Sequence, residues 1–263
     1  MRPRFAAGRF LVRLGRFVES LAVTVMRPRD LLDFTRSAYS SPESVAGWAE
    51  RGIVDAGLSA DESALLEKAP VCGGELLLLG IGGGREAVPL ASRGFRITGV
   101  DFVPGLAAKA EENLRQRGFS IRTLVQDISR LDLPESRYDL AWLTSGGCYS
   151  SLPTRRLRVE VLGRVRRALR PGGFFLCQFL FAGEPESGRS GESLRRLVSR
   201  LTLGRPSYER GDRLLNGVEF AHYFAGEADV RAEFEEGGFR IVQLGLPATG
   251  SVGGAVLQKD GIS

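Results

Sequence analysis

Three glycines at alternate positions, Gly80, Gly82 and Gly84, and an acid further on, Asp101, are the residues whose types and spacing speak most directly of chemistry. The glycines follow an apolar run of strand length, residues 75–79, and a helical pattern beginning at Ala87 and Val88 follows them. Glycine lets the backbone turn sharply there and lets a ligand approach where a Cβ would collide. The N-terminus of the next helix points its unpaired N–H groups at the same space. Asp101 ends a second apolar strand, residues 96–100, where a carboxylate can accept hydrogen bonds from both hydroxyls of a ribose. Strand, glycine turn, helix, strand and acid describe a nucleoside-binding βαβ unit.

The glycine spacing narrows the nucleoside. A dinucleotide site has the pattern G-x-G-x-x-G, whose third glycine would fall on Arg85. The spacing present, G-x-G-x-G, resembles motif I of the class I S-adenosylmethionine-dependent methyltransferases. The likeness continues through ITGVDFVPGLAAKAEEN (97–113), LVQDISRLDLP (124–134), YDLAWLTSGGCYSSLP (138–153) and VRRALRPGGFFLCQF (165–179). It covers roughly residues 70–260 and implies S-adenosyl-L-methionine as cofactor. Gly80, Ile81, Gly82 and Gly84 would lie against it, Asp101 would take the ribose, and Phe102 would cover the adenine. Asp127 and the Ile128 backbone would read the adenine edge. The loop after the fourth strand, from Thr144 and Ser145 to Pro153, would face the methyl group. One position departs from the family: the acid usual two residues before the first glycine is Leu78.

Methyl transfer from a sulfonium needs alignment and exclusion of water more than a fixed triad. On the acceptor side, Tyr149 is a candidate hydrogen-bond donor or weak base, within a Gly/Ser turn whose other role is to lead into a helix capped by Ser151 or Thr154. His222, the single histidine, lies in GVEFAHYFAGE (217–227). It is a candidate catalytic base at neutral pH, and a hydrogen-bonded structural histidine is the plainer alternative. Glu219 and Tyr223 flank it. Ser145, Tyr149, Tyr39 and Tyr223 are the candidate substrate contacts, with Trp48 beside Tyr39 as an aromatic that also fits packing. Cys148 has no basic partner in its surroundings and reads as a bystander. Glu86 reads as a first-turn acid favoured by the helix dipole.

The elements that must position these residues alternate from residue 74 onward. Strands are expected near 75–79, 96–100, 121–125, 138–143 and 173–180, with helices near 84–93, 104–117, 154–169 and 227–237. Two last runs, 239–247 and 254–258, read as a closing antiparallel hairpin. The expected fold is α/β: a Rossmann-like, doubly wound, seven-stranded, mostly parallel sheet with an antiparallel final hairpin. Residues 1–69 are expected to form an N-terminal helical arm or lid, and 70–263 the cofactor-binding domain. Residues 183–225 break the rhythm as a substrate-side insertion with a short helical piece at 194–203.

Hydrophobic content of 43% and charged content of 25% fit a globular protein. Cys72, Cys148 and Cys177 form no C-x-x-C pair, which disfavours a disulfide scaffold or zinc site and fits the reducing cytoplasm; no metal centre is expected. Residues 1–30 hold seven arginines against Glu19 and Asp30, the whole of the chain's formal charge of +5. The remainder is neutral, which argues against nucleic-acid binding. Within the arm, Phe10, Leu11, Leu14, Phe17, Val18 and Leu21 recur at helical spacing, with Arg9, Arg13 and Arg16 on another face. The arm reads as a lid, with a homodimer contact or a peripheral contact to an anionic membrane or acidic partner as alternatives. The expected function is methyl transfer to a small-molecule acceptor; a catalytically silent cofactor-binding or regulatory protein of the same fold is the alternative that Leu78 motivates.

Overall fold

The computed structural model describes residues 3–182, 192–202, 209–248 and 251–261. Its N-terminal third is helical: α1 (Pro3–Val25), α2 (Pro28–Tyr39), α3 (Pro42–Trp48), α4 (Arg51–Asp55) and α5 (Ala60–Lys68). Proline begins α2 and α3, where a missing N–H costs nothing and φ is already helical. Ser41 separates the two as the cap of α3, its Oγ accepting from the N–H of Ser44 at 3.1 Å.

The alternating region then runs β1 (Gly74–Leu79), α6 (Ala87–Ser92), β2 (Phe95–Asp101), α7 (Pro104–Gln116), β3 (Arg122–Val125), β4 (Tyr138–Leu143), α8 (Gly146–Ser150), α9 (Arg155–Ala168) and β5 (Leu169–Leu180). A helix α10 (Glu192–Leu201) and a hairpin of β6 (Asp212–Leu215) and β7 (Glu219–His222) precede α11 (Glu227–Glu236), β8 (Arg240–Gly245) and β9 (Val252–Gln258). The seven-stranded sheet has the order β3-β2-β1-β4-β5-β9-β8. Strands β1 to β5 are parallel, and β9 runs antiparallel to both β5 and β8. The expected doubly wound fold with a closing hairpin is the one observed.

Both faces of the sheet are covered, so β1 is apolar at consecutive positions instead of alternating. Leu77 and Leu79 join a core with α9 and α11, while Leu76 and Leu78 join the opposite one with α5, α6 and α7. The strand order reverses between β1 and β4, and the chain leaves both strands toward the same crevice; ligands of open α/β sheets bind at that point.

Two expectations need correction. The boundary at residue 69 cuts through the body, because Leu65, Leu66 and Ala69 of α5 and its C-terminus are buried in the core beneath the sheet. Their apolar side chains cover Leu76 and Leu78, which would otherwise face water. The insertion also holds regular structure: β6 and β7 form a separate two-stranded sheet. Residues 183–191 and 203–208 of the insertion lie outside the described residues, as does the end of the short helical piece expected at 194–203.

Candidate functional site

A cavity of about 570 Å³ opens at the switch point, within the range of pockets that hold small organic ligands. Its floor is the glycine turn: Gly80, Ile81, Gly82 and Gly83 all line it. Gly80 and Gly82 have φ of 71° and 54°, the left-handed region that a residue with a Cβ seldom occupies. Asp101 fastens this turn to the end of β2. Its Oδ2 accepts from the N–H of Gly82 at 2.9 Å and its Oδ1 from the N–H of Val103 at 2.9 Å. Burial raises the Asp101 carboxyl above its ordinary value, and the backbone N–H groups oppose the rise. Each oxygen keeps a lone pair for a further donor.

Phe102, Asp127 and Ile128 line the cavity beside Asp101, where the sequence placed them. Asp127 begins a short 3₁₀ turn, its Oδ1 accepting from the N–H of Ser129 at 2.8 Å. Its Oδ2 is held by Arg36 of α2 at 2.5 Å. The Arg36 guanidinium also sits 5.8 Å from the Phe102 ring centroid, and Tyr39 meets that ring edge-on at 6.4 Å. Helix α2 therefore closes over the side of the cavity that Phe102 and Asp127 form.

A second contact fixes this cover. A Cβ at Gly83 would lie 2.3 Å from the carbonyl oxygen of Trp48 and 2.7 Å from the Cα of Ala49. The end of α3 rests directly on the glycine turn. Asn113 of α7 donates to the carbonyl oxygen of Gly83 at 2.9 Å and holds that turn from below. Gly83 thus serves the lid, a role the sequence did not disclose.

Ser145, Gly147 and Cys148 from the loop after β4 also line the cavity, with Tyr39 and Glu219. The Tyr39 hydroxyl donates to Oε2 of Glu219. Glu219 is buried, and desolvation raises its carboxyl above the ordinary range while the Tyr39 bond lowers it. Its Oε1 lies 3.9 Å from where a Cβ on Gly147 would stand, next to the loop expected to face the transferred group. Glu219, a flanking residue in the sequence reading, thus lines the cavity beside the loop after β4. Burial pushes the Cys148 thiol up to about 12, in keeping with a bystander.

Position 78 offers the cavity no acid, whereas position 86 does. Leu78 is buried in the core, but Glu86 lines the cavity with its side chain almost wholly enclosed. Arg85 donates to Glu86 at 2.5 Å and, in a fork, to both oxygens of Glu62 at 2.7 and 2.8 Å. Two carboxylates share one guanidinium, leaving one negative charge in excess. Burial pushes Glu86 up to about 7, with Arg85 opposing and the Glu62 charge reinforcing. Burial also raises Glu62, but its bonds from Arg85 and the Ser59 N–H outweigh that and hold it low. A cation entering the cavity would balance the cluster.

Several candidates lie elsewhere than expected. Thr144 is buried and donates to Glu62 at 2.9 Å, behind the cavity wall. Gly84 faces away, its absent Cβ leaving room for Leu114 of α7, whose Cδ1 would lie 2.7 Å from it. Tyr149 is fully buried, stacked on Phe224, its hydroxyl donating to Glu233 at 2.6 Å. That packing, with burial and Glu233 raising its phenol well above the usual value, leaves it neither exposed nor basic. Tyr223 packs beneath Arg213, 3.8 Å from guanidinium carbon to ring centroid, and does not line the cavity.

His222 ends β7 of the hairpin. Its Nδ1 lies 2.8 Å from Oδ1 of Asp212, its partner across the β6–β7 hairpin, and its ring meets Phe224 edge-on. It does not line the cavity. Arg158 joins the same cluster, donating to Glu209 at 2.6 Å and to Glu233 at 2.8 Å. Donor atoms of Glu209, Asp212 and His222 lie within 4.8 Å of one another, but the Arg158 guanidinium already supplies the positive charge there. This network ties the hairpin to α9 and α11. It holds the strand that carries Glu219.

The lining of the cavity thus offers four carboxylates, Glu86, Asp101, Asp127 and Glu219, against Arg36 and Arg85. An acidic pocket of this size beside a close-approach glycine turn fits a small ligand that carries positive charge. Residues 76–173 match the family model described as a methyltransferase domain. That matched stretch and the seven-stranded sheet have the fold of the class I S-adenosylmethionine-dependent methyltransferases.

Among curated relatives, the malonyl-[acyl-carrier protein] O-methyltransferase of Serratia marcescens is 33% identical over 113 residues. That match spans 42% of this chain and 40% of the relative. A S-adenosylmethionine-dependent methyltransferase from Methanosarcina mazei superposes with a TM-score of 0.57 at 21% identity, over 78% of this chain and 100% of that one. The 1,6-didemethyltoxoflavin-N1-methyltransferase of Burkholderia thailandensis, solved with 1,6-didemethyltoxoflavin and S-adenosylhomocysteine bound, gives 0.57 at 20% identity over 89% and 90% of the two chains. At these identities the two structural likenesses bear on the fold.

Proposed function

We propose that this protein transfers a methyl group from S-adenosylmethionine to a small-molecule acceptor by in-line displacement. The observation that carries this reading is one cavity, roofed by α2 and α3, whose lining holds the glycine turn and Asp101 together with Tyr39 and Glu219. The cofactor supplies an electrophilic methyl on a good leaving group; the chain's residues need to bind, orient and exclude water. Gly80 and Gly82 give close backbone approach, Asp101 would accept from the ribose hydroxyls, and Phe102 and Asp127 would border the adenine. Glu86 would hold the ammonium group in place of the acid absent at Leu78. The acceptor would lie against Ser145, Gly147 and Tyr39. Glu219 would take the proton from its attacking oxygen or nitrogen as the bond to carbon forms and the carbon–sulfur bond breaks.

The roofed cavity favours an acceptor small enough to enter beneath the lid, which supports small molecules over nucleic acid. The curated relative's name describes methylation of oxygen, and the Burkholderia relative's title describes methylation of nitrogen; a base such as Glu219 suits an acceptor whose oxygen or nitrogen carries a proton. Cys72, Cys148 and Cys177 are unpaired, which supports a reducing, cytoplasmic setting. No described helix is long and apolar enough to cross a membrane.

Titration calorimetry with S-adenosylmethionine and S-adenosylhomocysteine tests the cofactor assignment. Micromolar binding, about −8 kcal/mol, is expected. Folded protein that binds neither ligand would remove the proposal. Release of S-adenosylhomocysteine over panels of carboxylic acids, phenols and amines would then identify the acceptor class. Binding without turnover on any of them would favour a regulatory role.

A further inference from the structure

Large apolar side chains exposed to water concentrate on one element. Among the described residues, half of the exposed large apolar side chains lie on α1, with Phe10 64%, Leu11 63%, Leu14 44% and Val18 56% exposed. These four positions follow three- and four-residue steps and share one face of the helix. Positions 9, 13 and 16, all arginine, share the opposite face, and Glu19 is the single acid of the helix. An apolar face backed by a basic one suits the boundary between lipid chains and anionic head groups.

The last turns of α1 behave differently. Val23 is fully buried and packs with Leu31 of α2 and Phe220 of β7. The helix is therefore anchored to the body at one end, and its exposed length continues outward from there. Its neighbours extend the apolar surface: α1 packs against α10 and β6, and Leu197 and Leu201 of α10 are 52% and 74% exposed. Val218, in the β6–β7 turn, is 52% exposed and stands at the rim of the cavity.

We propose that α1 is a surface-docking helix that lies in the plane of an anionic phospholipid bilayer, with the rim of the cavity held beside the head groups. Charge favours the bilayer over a second copy of this chain: α1 carries arginines at 4, 9, 13 and 16 against Glu19 alone, so a second copy would add like charge, whereas anionic lipid neutralises it. The helix bears too many arginines to span, and it is amphipathic enough to lie flat. Because α1 runs into α2 through Met26 and Arg27 alone, docking would also fix the end of the lid.

The test is flotation of the full chain with vesicles of phosphatidylcholine, with and without about a third phosphatidylglycerol, at low and high salt. The proposal expects binding to the anionic vesicles, at least about tenfold weaker on neutral ones, and falling as salt rises from about 0.1 to 1 M. Phe10→Glu with Leu14→Glu should abolish it while leaving S-adenosylmethionine affinity unchanged, since neither residue approaches the cavity. Arg9→Glu should weaken it by about tenfold or more, with the fold checked by circular dichroism. No vesicle binding by the intact chain would overturn the proposal. So would equal binding to neutral and anionic vesicles, or a dimer in gel filtration that becomes a monomer in the Phe10→Glu, Leu14→Glu protein.

Discussion

Tyr39 and Glu219 meet across 180 positions of sequence, the hydroxyl of one donating to the carboxylate of the other in the wall of the cavity. The pair joins α2, which roofs the cavity, to β7, which belongs to a hairpin outside the main sheet. The bond therefore ties the position of α2 to that of β7.

If Glu219 is the base, Glu219→Gln should lower turnover by about a hundredfold or more and leave cofactor affinity nearly unchanged. The rate of the wild-type protein should rise with pH through a value above the ordinary carboxylate range, because burial favours the protonated form. Tyr39→Phe removes the bond that lowers this carboxyl, so the same limb should move to higher pH. A Glu219→Gln protein with wild-type turnover would remove the role.

Asp101→Ala should weaken S-adenosylmethionine by about 1.5–3 kcal/mol, roughly tenfold to a hundredfold or more. The loss has two sources, the ribose hydroxyls and the Gly82 N–H that Asp101 now holds. Asp101→Asn separates them in calorimetry, since an amide oxygen still accepts one bond but carries no charge. Unchanged affinity in both would place the ribose elsewhere.

Glu86 should make cofactor binding depend on pH. Its carboxyl, pushed up to about 7, must be ionised to hold an ammonium group. Affinity should therefore be full above that value and decline below it, by up to about tenfold per pH unit while the ligand charge stays constant. Glu86→Gln should flatten this dependence and reduce affinity at pH 8. Calorimetry between pH 5.5 and 8.5 provides the check, and an unaltered profile in Glu86→Gln would assign the ammonium group to other residues.

Gly83→Ala should open the lid. The new methyl would meet the Trp48 carbonyl and Ala49 Cα, backbone atoms that cannot rotate aside. The cofactor should leave about ten times faster, by analogy with other lids that gate release. Trp48 emission should shift to the red, while Trp142, buried in the core, reports no change. Wild-type dissociation from this variant would mean the lid contact does not retain the ligand.

The parts of this protein that could be read in one dimension are those whose cause is local. Four consecutive leucines announce a strand buried on both faces, and alternate glycines before a helix announce a turn that admits a ligand. An acid at the end of the next strand lies beside that turn because parallel neighbours place their ends together. The sheet, the glycine turn and the place of Asp101 beside it followed from such patterns.

What only the tertiary structure decided are the pairings between segments far apart in the chain. Nothing near His222 shows that Asp212 and Glu209 surround it, or that Arg158 completes the network, so a structural histidine reads like a catalytic one. Tyr149 stands in a loop at the right place, yet its side chain turns into the core because Phe224, Phe234 and Glu233 offer it better contacts than the cavity does. Glu86 looks like a helix-start acid until burial and the shared Arg85 make it the surplus charge of the pocket. A residue's type sets what chemistry it can perform; its pKa, exposure and partners depend on desolvation and on neighbours that only the folded chain brings within a few ångströms.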